Sequence, residues 1–342
     1  MQPPDRILVF QTAFLGDVVL TLPLVQVLRR EFPNTQIDFL TTPKAAAILR
    51  NHPAIHSVIE YDKRGGQRGL EGMFSISRIL KAHRYGVALV PHRSLRSAVV
   101  TALSRIPVRI GFDVSAGRFL FTATVQYRKN VHEIERNLYF LNALNISIPS
   151  KELPSVYPSA VDVDAVDRFF SEIQIKPNDK LIAIAPGSVW NTKRWPSERF
   201  SDLVRRIAAA GMKVFLVGGE EDENLCKAIA SEVQGTEAYV SAGRFSILQS
   251  AELIRRCTAL VSNDSAPMHL AVAMKTPVVA VFGATVPSFG FAPYGEKDVV
   301  VQIEGLPCRP CSIHGGDTCP IETFDCMVKI SAEMVFAKIV QL

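Results

Sequence analysis

Short apolar runs alternate with longer amphipathic segments along most of the chain, and this alternation constrains the fold more than any other feature. In the first half it predicts buried strands at residues 7–10, 36–40, 58–60, 87–90 and 108–110, and helices such as 17–31 and 72–83. A second series predicts strands at 181–185, 213–217, 259–262 and 278–282, and helices at 197–210, 221–233 and 267–274. Strands that alternate with helices form parallel sheets covered on both faces, so we predict an α/β fold.

The two series are separated by a proline-rich stretch. Between residues 147 and 179, four prolines surround one short predicted helix at 160–172, which is typical of an interdomain connection. The 342 residues are about twice the length of a typical ~150-residue domain. We therefore predict two Rossmann-like domains, residues 1–150 and 179–342, joined by 151–178 and facing each other across a cleft. In such sheets ligands bind in the loops at the carboxyl ends of the strands.

Composition excludes several classes of protein. Charged residues make up 21% of the chain and hydrophobic residues 48%, which excludes an intrinsically disordered protein. The longest uncharged stretch, 276–295, is interrupted by three prolines and two glycines and cannot form one membrane-spanning helix. Residues 7–15 have the apolar character of a signal peptide, but Asp5 and Asp17 flank them and an A-x-A cleavage site is missing. We predict a cytoplasmic protein.

The net charge of +5 is unevenly distributed. Residues 81–130 hold nine Lys and Arg residues against the single acid Asp113, a net charge of +8 that would attract an anionic partner. A solvated basic face is the alternative. Phosphorylated lipid, an anionic membrane surface and nucleic acid are the candidate partners. Since the sequence has no zinc-finger, RRM or KH signature, we predict no nucleic-acid partner.

The first candidate site is the sequence TAFLGD at residues 12–17, between the first predicted strand and helix. Gly16 permits a tight backbone, and Asp17 is placed to open the helix. Asp17 has two candidate roles, a helix N-cap contributing about 1 kcal/mol and a general base. The helix N-terminus stabilises the carboxylate and should lower its basicity. The absence of G-x-G-x-x-G and P-loop patterns disfavours a dinucleotide site and a kinase-type NTPase.

The second candidate site is the loop at 185–196, which follows the first strand of the second half. Gly187, the hydroxyls of Ser188 and Thr192 and the adjacent cations Lys193 and Arg194 suit an anion cradle. A contact between Lys and a phosphate contributes roughly 1.5–3 kcal/mol. The alternative is a surface loop with two tryptophans packed beneath it. We favour the cradle.

The third candidate site is SNDSAPMH at residues 262–269, again a strand end that leads into a helix. Asp264 is placed to cap this helix, and Pro267 suits its first turn. The free N–H groups at the helix start would favour a phosphate. His269 either hydrogen-bonds a ligand or lies in the core, and its spacing favours the core.

The cysteines form the fourth candidate site. Two of the six, Cys226 and Cys257, lie inside helical patterns and are predicted to be buried thiols. The other four form the pattern C-x2-C-x7-C-x6-C, at Cys308, Cys311, Cys319 and Cys326. Three interpretations remain open for this segment, residues 308–326: a structural zinc site with four thiolate ligands, reduced structural thiols, and a redox cluster or disulfides.

Taken together, these loops resemble the ADP-heptose:lipopolysaccharide heptosyltransferases of glycosyltransferase family 9, and the heptosyltransferase II group most closely. The resemblance covers nearly the whole chain. It is carried by LGD at 15–17 with LP at 22–23, PGS at 186–188 with KRWP at 193–196, NDS at 263–265 with MH at 268–269, and Pro277 with FG at 282–283. Ala266 stands where the family usually has Gly, and its methyl group is expected to crowd the donor pocket.

The resemblance implies a GT-B fold and an inverting, metal-independent transfer of L-glycero-D-manno-heptose from ADP-heptose to the inner core of lipopolysaccharide. No cofactor is then required for catalysis. Carried over by position, Asp17 corresponds to the general base and Lys193 to the group that neutralises the leaving diphosphate. The remaining donor-site positions are Ser188, Thr192, Asp264, Ser265, Ala266 and His269, with Glu220 or Glu221 at the adenosine ribose.

The same resemblance implies the partners. The donor ADP-heptose would bind the second half, and the basic first half would face a phosphorylated lipid A–Kdo-type acceptor, with peripheral contact to the cytoplasmic face of the inner membrane. Two alternatives remain open at this point. One is another nucleotide-sugar enzyme on this architecture, such as a 2-epimerase; the other is a non-enzymatic module that binds a metal or partner.

Overall fold

The computed structural model describes residues 4–342 and divides into two compact units between Tyr157 and Pro158. This boundary falls inside the stretch predicted to connect two domains. Among the described residues, no helix combines the length and apolar character that a membrane span requires.

The first unit is built on a six-stranded parallel sheet. Its strands are β1 (Arg6–Phe10), β2 (Gln36–Thr41), β3 (Ser57–Glu60), β4 (Val87–Val90), β5 (Val108–Phe112) and β6 (Ala123–Val125). Their order is β3-β2-β1-β4-β5-β6, and Ile7 lies beside Ile37 on one side and Val87 on the other. The chain moves outward from β1 to β3 and then returns to the other side of β1. The resulting switch point, where such sheets bind ligands, lies between β1 and β4.

Helices cover the sheet of the first unit. They are α1 (Leu15–Glu31), α2 (Pro43–Ala46), α3 (Gly69–Ala82), α4 (Leu95–Leu103) and α5 (Glu133–Leu138). α5 packs on α1, and the Asn137 side chain donates to the Leu20 carbonyl at 3.1 Å. The core includes Leu8 and Phe10 of β1 with Ala88 and Val90 of β4, all fully buried. The apolar runs predicted for these strands are therefore buried, as expected for a parallel sheet covered on both faces.

The second unit repeats this plan. Its strands are β7 (Leu181–Ala185), β8 (Lys213–Leu216), β9 (Ala238–Val240), β10 (Ala259–Asn263), β11 (Val278–Val281) and β12 (Val299–Val301), in the order β12-β11-β10-β7-β8-β9. All pairs of neighbouring strands are parallel. The switch point of this sheet lies between β7 and β10. Two doubly wound parallel sheets confirm the predicted α/β class.

The helices of the second unit are α6 (Ala160–Glu172), α7 (Ser197–Ala209), α8 (Glu223–Glu232), α9 (Ile247–Arg255), α10 (Ala266–Ala273), α11 (Asp325–Val328) and α12 (Ala332–Ile339). α6 lies in the stretch predicted as a connection, but it packs on α9 within the second unit. The spacing of Phe200, Leu203 and Ile207 places all three on the buried face of α7. Burial of each such side chain contributes roughly 1.5–3 kcal/mol, which holds α7 against the sheet of the second unit.

Candidate active site

Asp17 lies in the loop-to-helix turn that follows β1. α1 begins at Leu15, two residues before the predicted start, so Asp17 is the third residue of the helix and Phe14 holds the N-cap position. The hypothesis that Asp17 is the N-cap is therefore wrong. Its carboxylate still accepts the terminal N–H of Phe14, at 3.0 Å from Oδ2.

Burial dominates the ionisation of Asp17. Desolvation, assisted by the negative charge of Glu133, raises the pKa of Asp17 to about 7, against the opposing effects of the Phe14 N–H and Arg93. Glu133 is itself buried and forms an ion pair with Arg136. The helix N-terminus does lower the pKa of Asp17, through the Phe14 N–H, as expected, but desolvation outweighs this effect and the net shift is upward. A carboxyl with a pKa near neutrality suits a general base.

A histidine lies beside this turn, in the loop after β4. His92 Nδ1 is 3.1 Å from Thr12 Oγ1 and 2.9 Å from Ser97 Oγ. Burial and the positive charges of Lys63 and Arg93 lower the pKa of His92 to about 3. The imidazole is therefore neutral at physiological pH and acts as a hydrogen-bonding group.

A lysine from the loop after β3 completes the cluster. Lys63 Nζ donates to the Thr12 carbonyl at 2.6 Å and lies 3.2 Å from Thr12 Oγ1. Burial, with the charges of Arg64 and Arg96, lowers the pKa of Lys63 to about 8. Sequence reasoning missed His92 and Lys63, although both directly follow predicted strands and could have been found by that position.

The basic stretch at residues 81–130 does not form one patch. Since the sheet is parallel, Lys81, Arg84 and Arg105, which precede β4 or β5, lie at the amino ends of the strands. Arg93 and Arg96 follow β4 and lie at the carboxyl ends, where Asp17 also lies. Only some of the basic residues of the stretch 81–130 therefore lie at the same end of the sheet as Asp17.

In the second unit, Lys193 lies in the loop between β7 and α7. Its Nζ is 2.7 Å from Asp264 Oδ2, in the loop that follows β10. Asp264 Oδ2 also accepts a hydrogen bond from Thr285 Oγ1 at 2.6 Å. The loops on both sides of the β7–β10 switch point thus meet through this ion pair.

A buried asparagine at the end of β10 holds the Lys193 loop at two points. The backbone N–H of Trp195 donates to Asn263 Oδ1 at 3.1 Å, and Asn263 Nδ2 donates to the Pro186 carbonyl at 2.8 Å. Trp195 is buried and its Nε1 donates to the Ile330 carbonyl at 3.0 Å. Of the two tryptophans of this loop, Trp190 is half-exposed, so Trp195 is the main anchor.

Gly187 allows an acidic side chain to approach the same loop. A Cβ at this position would lie 2.0 Å from Asp222 Oδ1, so a larger residue would displace Asp222. Asp222 Oδ2 accepts the N–H of Gly219 at 3.1 Å. The candidate ribose residues Glu220 and Glu221 are exposed in this turn after β8, and their role stays a prediction.

The helix that follows β10 begins one residue earlier than predicted. α10 starts at Ala266, and its N-cap is Ser265, which makes no side-chain cap hydrogen bond. Asp264 is therefore not the cap, since its carboxylate instead contacts Lys193 and Thr285. The first N–H groups of α10 follow Asp264, the partner of Lys193, within three residues of the chain, and N–H groups at a helix start favour an anion.

The remaining donor-site residues differ in exposure. Ala266 is half-exposed and His269, one turn further along α10, is buried. Ser188 is buried, and its carbonyl accepts Arg194 Nε at 2.7 Å. Thr192 is buried, and its hydroxyl oxygen accepts the N–H of Gly316 at 2.8 Å. Their contacts with a donor stay predictions.

The four clustered cysteines are free thiols. Burial raises the pKa of Cys326 to about 11, and the other three thiols interact with it electrostatically. For Cys319, backbone N–H groups of residues 321–324 lower the pKa although desolvation raises it. Within residues 4–342, no group of three or more His, Cys, Asp or Glu side chains is arranged to hold a metal ion. The zinc hypothesis therefore stays a prediction from sequence spacing.

Comparisons with known proteins identify the family and the fold of this chain. The family model for glycosyltransferase family 9 (heptosyltransferase) matches residues 73–317. Lipooligosaccharide heptosyltransferase 2 of Haemophilus ducreyi is 26% identical over 311 residues, which cover 87% of this chain and 88% of the relative.

Two solved structures show the same fold. A glycosyltransferase family 9 protein from Veillonella parvula has a TM-score of 0.89 at 24% identity, covering 99% of this chain and 98% of its own. ADP-heptose lipopolysaccharide heptosyltransferase II of E. coli has a TM-score of 0.77 at 22% identity, covering 98% of this chain and 99% of its own. Of the functions that the sequence left open, the family match confirms a glycosyltransferase. The chain therefore belongs to glycosyltransferase family 9, the heptosyltransferases.

Proposed function

We propose that this glycosyltransferase moves L-glycero-D-manno-heptose from ADP-heptose to a sugar hydroxyl of the lipopolysaccharide inner core, with inversion. The observation that carries the proposal is the position of the half-buried Asp17 carboxyl, in the first turn of α1 directly after β1 and beside the switch point of the first sheet. Desolvation there raises its pKa to about 7. Asp17 removes the proton of the acceptor hydroxyl as its oxygen attacks the anomeric carbon. The bond from that carbon to the diphosphate breaks, and ADP leaves with the electron pair.

The leaving diphosphate needs compensation for its charge. Lys193 supplies a cation and the first turn of α10, at Ser265 and Ala266, supplies backbone N–H groups. Ser188 and Thr192 provide hydroxyl groups in the same loop as Lys193. We assign His269 to the donor sugar or phosphate and Glu220 or Glu221 to the ribose. E. coli heptosyltransferase WaaC, which shares this fold, has been solved with ADP.

The acceptor is assigned to the first unit. Besides Asp17, the carboxyl ends of its strands present Lys63, Arg93 and Arg96, which suit the phosphates of a lipid A–Kdo-type acceptor. An enzyme that acts on such a lipid would work at the cytoplasmic face of the inner membrane, through peripheral contact. This location stays a prediction that membrane fractionation can test.

The chemistry proposed here uses no catalytic metal. The cysteine spacing of segment 308–326 leaves two alternatives, a structural zinc site and reduced structural thiols, and the four cysteines are free thiols in the structure. Metal analysis of protein purified under reducing conditions decides this point. About one equivalent of zinc per chain would support four thiolate ligands, and less than about a tenth of an equivalent would reject them.

The enzymatic proposal is tested by separating turnover from donor binding. Asp17→Asn should reduce heptose transfer by roughly 10²–10⁴ and leave ADP affinity unchanged, because it removes the base and no phosphate contact. Lys193→Ala should weaken ADP binding by about one to two orders of magnitude, since it removes a charged contact. Transfer is measured with ADP-heptose and a core acceptor, and binding by calorimetry.

Each variant has a matched control. Asp162 is also the third residue of a helix and accepts a backbone N–H, from Ser159 at 2.8 Å, so Asp162→Asn makes the same chemical change away from the site. Lys213 pairs with Asp179 and Glu237 at the amino end of β8, so Lys213→Ala removes the ion pairs of a lysine elsewhere in the second unit. Transfer at the wild-type rate by the Asp17 variant would reduce that residue to a structural role.

A further inference from the structure

The strongest unassigned feature is a chain of three polar side chains in the second unit, the half-buried Lys193 and the buried Asp264 and Thr285. Asp264 Oδ2 receives two donors at short distance, Lys193 Nζ at 2.7 Å and Thr285 Oγ1 at 2.6 Å. Asp264 is 6% exposed and Thr285 2% exposed. The same carboxylate oxygen of Asp264 therefore interacts with both an ammonium and a buried hydroxyl.

Thr285 is itself held in place from a separate part of the chain. It follows β11, and its carbonyl accepts Arg309 Nη2 at 2.6 Å. The preceding carbonyl, of Ala284, accepts the N–H of Cys311 at 2.9 Å. Both donors belong to the turn that begins the cysteine segment, so this turn fixes the Thr285 hydroxyl relative to β11.

The middle of the same segment, at Gly316 and Asp317, holds the Lys193 loop. Thr192 and Gly316 exchange two hydrogen bonds, from the Thr192 N–H to the Gly316 carbonyl at 2.9 Å and from the Gly316 N–H to Thr192 Oγ1 at 2.8 Å. Asn191 Nδ2 donates to the Asp317 carbonyl at 3.1 Å. Residues 309–317 thus fix both the loop that carries Lys193 and the strand end that carries Thr285.

The hydrogen bond from Thr285 affects how tightly Asp264 retains Lys193. The Lys193 ammonium has three N–H donors, and a bound diphosphate must compete with Asp264 for its positive charge. While the Thr285 hydroxyl satisfies part of the carboxylate, Lys193 can turn its remaining donors toward a phosphate. Without that hydroxyl, the buried carboxylate depends more heavily on Lys193, because an unsatisfied buried charge is costly.

We propose that Thr285 is a positioning residue for the donor diphosphate, which acts on Lys193 through Asp264. The proposal rests on the assignment of the donor diphosphate to Lys193 made above. Thr285 itself makes no contact with the donor in this proposal. Its hydroxyl donates to the same Asp264 oxygen as Lys193, which keeps the Lys193 ammonium oriented and leaves its remaining N–H donors for the diphosphate.

The test compares near-isosteric variants by ADP calorimetry on the full-length protein. Thr285→Val removes the hydroxyl and should weaken ADP binding about tenfold, whereas Thr285→Ser keeps it and should bind within about twofold of wild type. Thr276→Val is the matched control, since Thr276 is buried in the same unit and its hydroxyl donates only to the Ile254 carbonyl, at 3.0 Å. It should leave ADP affinity unchanged. If Thr285→Val does not fold, Thr285→Ala replaces it.

A double-mutant cycle with Lys193→Ala identifies the route of the effect. In the Lys193→Ala background, Thr285→Val should change ADP affinity less than twofold, because the group it acts through is gone. An unchanged affinity in the single Thr285 variant, or an equal loss in both backgrounds, would overturn the inference. If Lys193→Ala binds ADP as wild type does, the donor assignment itself fails. These outcomes separate the failure of Thr285 from the failure of the proposed function.

Discussion

At the scale of single residues, two neighbouring carboxyl groups, those of Glu133 and Asp17, have different partners. Glu133 is buried with the guanidinium of Arg136, which donates to it. Asp17 accepts a backbone N–H and is influenced by Arg93, which is not enough to offset its desolvation. Desolvation of Asp17 destabilises its charged form, and for this reason its carboxylate is basic enough to accept a proton.

This raised pKa predicts a stability effect with a definite sign. The folded-state pKa of Asp17, about 7, lies above its ordinary value of 3.8, so the favourable contribution of the protonated carboxyl is lost as the pH rises toward 7. Asp17→Asn removes this loss. We expect the variant to be more stable than wild type by ~1–3 kcal/mol at pH 8, with a difference that shrinks toward pH 4. Urea unfolding at pH 5 and pH 8 measures it.

The control for this prediction is again Asp162→Asn. It makes the same chemical change at the third residue of another helix, whose carboxylate also accepts a backbone N–H, and it should not reproduce the gain of Asp17→Asn. A stability difference for Asp17→Asn that stays constant between pH 5 and pH 8 would contradict a pKa near 7. The same ionisation should place the acidic limb of the kcat/KM profile near pH 7.

At the scale of elements, the sequence predicted the central strands well and the short edge strands poorly. The strands at 7–10, 181–185 and 278–282 are nearly continuous apolar runs, which is the signature of a strand buried on both faces. β6 and β9 are three-residue edge strands whose side chains are mostly half-buried or exposed. Their pairing with the preceding strand defines them, rather than the burial of their own side chains.

The candidate site shows the same division between local and distant information. Asp17, Lys193 and Asp264 were predicted because each follows a strand that its apolar run reveals. The starts of α1 and α10 were misplaced by two residues and by one residue. At α1 the N-cap is Phe14, which carries no polar capping group. The partner of Asp264 at Thr285 is 21 residues away, and the contact between Trp195 and Asn263 spans 68 residues. Only the folded sheet brings such groups together.

At the scale of the whole molecule, each unit has its own sheet, its own core and its own switch point. The core clusters of the two units share no residues. The ionisable groups proposed for proton transfer lie in the first unit, and those proposed for the nucleotide lie in the second. A nucleotide without an acceptor should therefore stabilise the two units unequally.

Hydrogen exchange can measure this asymmetry. ADP at 100 times its Kd stabilises the state that binds it by about 2.7 kcal/mol, which slows amide exchange wherever local opening releases the ligand. We expect slower exchange in peptides covering 186–196 and 263–268. Peptides covering 10–20 and 90–96, around Asp17 and His92, should exchange at their ADP-free rates, because these loops bind the acceptor in the proposed function.

Two comparisons make the result decisive. Lys193→Ala at the same ADP concentration should lose most of the protection in the second unit, since its affinity is lower, while its ADP-free exchange stays close to wild type. Protection that appears first around Asp17, with none at 186–196, would place the nucleotide on the first unit. That outcome would reverse the assignment of donor and acceptor. The ADP pocket would then lie at the same switch point as Asp17, and the acceptor would have to bind the second unit.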